Sequence, residues 1–226
     1  MKYTIVNFFM LVQLLSSSMY ASDVLRAKFQ DEVMNFPQGD VCDVEYIQSI
    51  LQYMYHVDQE ARAEYLKDLQ IHGVVDRDAQ SNEIGLLMNQ IGVFHSNIMK
   101  QILAVHGWVN ISKFGELADS QAWILIQHIE DPFFQAGCLF LLTDLVEKGE
   151  TDAKNYAYLY DRVSLNFAAL GIKQRFGTQF MITVDKEIVL YPYEGTEQEL
   201  DARREKMGLT QSIAEYIELI KTVYQI

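Results

Sequence analysis

Apolar side chains that recur at steps of three and four restrict most of this chain to helices packed on one another. After residue 79 the stripe runs Ile84, Leu87, Ile91, Phe94, Ile98, Ile102 and Val105, and it ends at Gly107, a residue suited to a left-handed C-cap. An earlier stripe begins at Asp43 with Val44, Ile47, Leu51 and Met54, and the same steps lead on to Asp58, Ala61 and Tyr65. Asp58 therefore falls on the inward face, where a carboxylate needs a partner or a wet cavity. A slight drift of register would return it to the surface instead. Between the two stripes, residues 70–79 break the pattern with Gly73 and several charges.

Further on, AWILI is apolar on every side and reads as the middle of a buried helix at about 120–130. Gln127 and His128 occupy its last turn. Asp131-Pro132 restarts the chain as N-cap and first helical residue, and this helix runs to Gly149. On it Gln135 shares a face with Cys138, Leu139 and Leu142. Thr151 or Asp152 caps a helix whose predicted stripe is Tyr156, Tyr160, Val163, Phe167 and Leu170. Trp108–Phe114 reads as a short connection, with Gly115 in a turn. Past Gly171 the period changes. FGTQFMIT and EIVLYPYE flank VDK and predict a β-hairpin at about 176–194. Thr196 and Glu199 form a capping box for a helix stopped by Gly208, and a last helix uses Ile213, Tyr216, Ile217, Ile220 and Val223. With no internal repeat or low-complexity tract, the expected fold is mainly α: a single-domain helical bundle over 43–226 with a small C-terminal β-hairpin. Residues 22–42, broken by Pro37 and Gly39, read as a linker or as a short helix followed by a loop.

Residues 1–21 differ in kind. Lys2 is their only charge, an apolar run covers Tyr3–Leu15, and SSSMYAS follows, with cleavage at Ala21 or nearer Ser18. This is the pattern of a signal peptide and predicts export, to the periplasm or the medium. An uncleaved anchor is the rival reading. Loss of Lys2 takes the formal charge from −13 to −14. Such a balance argues against nucleic acid, whose binding rests on Lys and Arg, and against stable association with anionic lipid after cleavage. Its plainest meaning is solubility. Two cysteines, Cys42 and Cys138, are too few for a disulfide scaffold, although an oxidising compartment would permit one bridge. His56, His72, His95, His106 and His128 fall into no ligand spacing, so no metal is expected. The Tyr and Met content is that of a helical core and asks for no cofactor.

Read together, W-x3-QH, D-P-x-F-Q, YAYLYDRV, QRFGTQF, D-x-RR-x3-GL and a closing E-Y resemble an uncharacterised bacterial family known only as a domain of unknown function. DQEAR at 58–62 and GWVNISKFG at 107–115 are similar to further elements of it. The resemblance covers roughly 55–220 and departs at Val109, where the family usually has Pro, and at 70–95, which looks longer. It implies one fold and a choice of site residues, and it implies no reaction.

Within that frame His128 is the leading catalytic candidate, because imidazole exchanges protons near neutral pH and a carboxylate from Asp161 or Asp58 can fix its tautomer. A histidine at a helix end can equally be structural. Asp161 and Arg162 offer a carboxylate and an anion-binding guanidinium on adjacent faces, or else a buried structural ion pair. Gln127, Gln135, Gln174 and Gln179 donate and accept hydrogen bonds without titrating, and suit binding better than proton transfer. With Thr178, Arg162 and Asp58 they make the candidate ligand-binding set. Three functions follow: a pocket for a small or peptide-like ligand; a hydrolase or transferase using His128 and Asp161; and a secreted interaction protein whose polar residues only knit the core.

Overall fold

The computed structural model describes residues 21–72, 80–183 and 185–224. Among these are nine α-helices and one two-stranded antiparallel sheet near the C-terminus, the mainly α fold that the periodicity predicts. Residues 1–20 of the signal-peptide reading (1–21) and the break at Gly73 lie outside the described residues. No described helix is long and apolar enough to cross a membrane. The described residues divide into two compact units, one made of those up to Val109 with Ile124–Glu130, the other of Asn110–Trp123 with those from Asp131 onward.

In the first unit, α1 (Ala21–Asn35), α2 (Val44–His72) and α3 (Gln80–His106) pack together. The stripe of α2 faces inward as expected: Ile47, Leu51, Met54, Asp58 and Ala61 are all buried. On α3, Leu87, Ile91, Ile98 and Ile102 are buried, while Val105 at the helix end is 43% exposed. Residues 22–42 take the second of their two expected forms, a helix and a loop. They are no free linker, because Phe29, Phe36 and Val41 are buried. Phe29 joins Ala61, Leu87 and Ile91 in one cluster, and the imidazole of His106 bonds the carbonyl of Val41 through Nε2 at 2.7 Å.

The second unit holds α4 (Ile111–Phe114), the first turns of α5 (Glu116–His128), α6 (Pro132–Glu147), α7 (Ala153–Asn166), β1 (Phe180–Ile182), β2 (Ile188–Leu190), α8 (Glu197–Lys206) and α9 (Ile213–Tyr224). The caps read from sequence are in place. Asp131 accepts from Phe134 N at 3.0 Å, Asp152 caps α7 through Lys154 N, and both halves of the Thr196–Glu199 capping box are formed. The connection after Trp108 contains the extra short helix α4.

Two expectations need correction. On α7 the deepest face is Ala157, Asp161 and Ser164, whereas Tyr156 and Tyr160 are half-buried and Leu170 is 76% exposed. The polar face wins because the Asp161 carboxylate is fully hydrogen-bonded inside. The hairpin strands are also shorter than the sequence suggested. Pairing begins only at Phe180↔Leu190, since the backbone N–H groups of 175, 176 and 178 are engaged by Asp161 and cannot join the ladder.

Candidate functional site

In the first unit, one helical turn of α2 builds a carboxylate site. Asp58 and Arg62 lie four apart, so the guanidinium reaches back and its Nε stands 3.2 Å from both carboxylate oxygens. Gln59 Nε2 donates to Oδ2 at 3.0 Å. The same oxygen lies 2.6 Å from Nδ1 of His128, brought in by the last turn of α5. That turn runs close to α3: a Cβ at Gly92 would stand 4.0 Å from the carbonyl oxygen of His128. Burial by itself pushes the Asp58 carboxyl up. The hydrogen bond and charge of His128 and the Arg62 guanidinium outweigh it and hold the group at about 2. The ring of His128 remains 19% exposed, against 8% for the Asp58 side chain. Gln127, its neighbour, is buried in the same unit. The carboxylate that meets His128 is therefore Asp58 and not Asp161.

In the second unit, Asp161 sits at 0% exposure and holds a loop. It accepts from Arg175 N at 2.7 Å, Phe176 N at 3.1 Å, Thr178 N at 2.9 Å and Thr178 Oγ1 at 3.0 Å. Burial raises its pKa, opposed by these donors, which favour the ionised form. From the other side, the buried Arg204 donates through Nη1 to the carbonyl of Phe176 at 2.7 Å and lies over the ring of Tyr216. Gly177 at the bend has φ of +64°, and a Cβ there would stand 2.9 Å from Ile213 Cδ1, so only glycine fits. Gln174 pins the base of the hairpin. Its amide nitrogen donates to the carbonyls of Gln179 at 3.1 Å and Tyr191 at 2.6 Å, and its oxygen accepts from Gln179 N at 3.0 Å.

Around this framework opens a cleft of about 210 Å³. Its apolar wall comes from Leu165, Ala168, Ile172 and Pro192, and its polar lining from Asp161, Ser164, Lys173, Gln174, Gln179 and Tyr191. Asp161, Ser164 and Gln174 are already engaged within the protein. Gln179 is 6% exposed and donates through Nε2 to Thr178 Oγ1 at 3.1 Å, and its Oε1 accepts no bond among the described residues. Of the remaining predicted residues, Gln135 accepts from Asn166 Nδ2 at 2.7 Å and Arg162 is half-buried on α7; neither lines the cleft.

A family model matches residues 47–226, a span that holds Asp58, His128 and the whole cleft. The chain belongs to DUF6624, a family of unknown function. No curated protein and no solved structure matches it. The DUF6624 span thus contains two sets of functional candidates: Asp58, Gln127 and His128 in the first unit, and Asp161, Arg162, Gln174, Thr178 and Gln179, with Gln135, in the second. Sequence reasoning missed Lys173, just before the predicted hairpin, and Tyr191, within its second strand. It also missed Gln59 and Arg62, although the spacing of Asp58 and Arg62 was legible. Among the described residues, no three His, Cys, Asp or Glu side chains are placed to hold a metal ion.

Proposed function

We propose that this DUF6624 protein is exported and binds a small or peptide-like ligand in the cleft of its second unit. The observation that supports this reading is Gln179: a nearly buried carboxamide, held by its own nitrogen, presents an oxygen that seeks an N–H donor in an open cleft. The Asp161 and Gln174 networks fix the surroundings before any ligand arrives, which lowers the ordering cost of binding. Size narrows the choice. Pockets for drug-sized ligands run to roughly 300–1,000 Å³, so a cleft of about 210 Å³ suits one amino-acid residue or its amide. The Lys173 ammonium and Tyr191 hydroxyl supply donors for the ligand's carbonyl or carboxylate. NMR titration with N-acetyl amino-acid amides tests it. The amide resonances of residues 164–192 are expected to shift, and Gln179→Ala to weaken binding about fivefold. Shifts confined to other residues, or undiminished in Gln179→Ala, would remove the cleft from consideration.

The Asp58–His128 pair favours a second reading, acid–base catalysis as in a hydrolase or transferase. Asp58 bonded at Nδ1 favours the tautomer whose Nε2 is the basic nitrogen, and the ring is partly open to solvent. A substrate screen with Asp58→Asn and His128→Gln as controls tests it. Turnover lost in both variants supports the pair; full turnover in His128→Gln ends this reading.

A further inference from the structure

We infer that the first unit carries a separate binding site, a cleft bounded by α1, α2 and α3 that takes a small organic ammonium ion with an apolar body. It shares no residue with the cleft of the second unit, and neither reading depends on the other. The opening is about 290 Å³, enough for a single ring and a short chain. Phe29, Ala61 and Ile91 form a buried apolar floor, and the half-buried Tyr53 adds a second aromatic wall. Aromatic faces attract cations as well as apolar groups.

The charge around this floor has one dominant sign. Asp31 and Glu60 line the opening with carboxylates, and among the described residues no lysine or arginine lines it. Burial raises the Tyr53 phenol, and the charges of Glu32 and Asp31 raise it further, so both carboxylates act on the cleft wall. Glu32 does not line the opening and acts on it through its charge. It lies three residues beyond Phe29 on the same face of α1 and is 1% exposed. His95, one turn along α3 from Ile91, meets its Oε1 at 2.6 Å through Nε2. The other oxygen, Oε2, is buried and accepts no hydrogen bond among the described residues. The chain's formal charge of −13 raises the local concentration of cations and lowers that of anions.

The experiment is a ¹H–¹⁵N NMR titration of the full chain at low salt and about pH 8. The probes are 2-phenylethylamine and, as an anion of similar shape, 3-phenylpropionate. The amine is expected to shift the amides of Tyr53, Ala61 and Ile91, and the anion to leave them in place. Asp31 is exposed, so Asp31→Asn keeps the fold, and it should weaken the amine about threefold to fivefold. Equal binding of both probes would reduce the site to a generic apolar hollow and overturn the inference. So would an amine response that ignores Asp31→Asn, or none at these residues up to the solubility of the probe.

Discussion

Asp58 and Asp161 are the same residue type on the inward face of a helix, and the two units use them in opposite ways. Asp58 is satisfied by side chains: a guanidinium, a carboxamide and an imidazole, the last still partly open to solvent. Asp161 is satisfied by main chain and one hydroxyl of a single loop, with nothing mobile among its donors. A carboxylate bonded to an imidazole passes its influence to a group that can exchange protons. One bonded to backbone N–H groups fixes geometry and does no more. The first couples to a side chain and the second to the backbone of a loop, and the electrostatics differ accordingly. Charged partners hold Asp58 at about 2, while burial pushes Asp161 upward.

The largest expected effect tests the architectural half. Asp161→Ala leaves a loop full of unmet donors beside the buried Arg204, and should cost about 4 kcal/mol in urea unfolding and abolish ligand-induced shifts in the cleft. A loss below about 1 kcal/mol would mean that the loop does not depend on its carboxylate. The next tests the contrast through pH. The folded pKa of Asp58 lies below its ordinary value, so its contribution is present above about pH 4 and is lost as pH falls through 2. Asp58→Asn should remove about 2 kcal/mol at pH 5 and flatten the stability profile between pH 4 and 2. A profile as steep as that of the unaltered chain would assign the acid sensitivity to other groups. In the same variant, imidazole ¹⁵N shifts should show His128 losing its single tautomer. Smallest is Arg62→Ala. Its guanidinium is 31% exposed, so about 0.5 kcal/mol is expected, with the His128 tautomer retained because the Asp58 bond persists. Loss of that tautomer would show that Arg62, and not the carboxylate alone, sets the ring.

Much of this contrast was half-legible in the chain. The steps from Val44 to Tyr65 carried Asp58 inward, and its burial among Met54 and Ala61 follows from 3.6 residues per turn. His128 at a helix end and Asp131-Pro132 at the next start were equally readable, since capping depends on neighbours within one turn. The partner of His128 was not. Asp58 and Asp161 both met the chemical requirement, and the deciding contact spans 70 positions. The hairpin shows the same limit. FGTQFMIT has strand composition throughout, yet its first residues are drawn to Asp161 and only Phe180–Ile182 pair.

By itself the sequence determined most of the helices, their caps, the inward turn of Asp58 and Gln135 and membership of the family, because each depends on spacing within a few residues or on the order of motifs. Tertiary structure alone decided which carboxylate meets the imidazole and which glutamines line the cleft. Hydrogen bonds between distant segments are assigned by competition among donors and acceptors of equal chemistry. Only packing, which sets their distances, can choose between them.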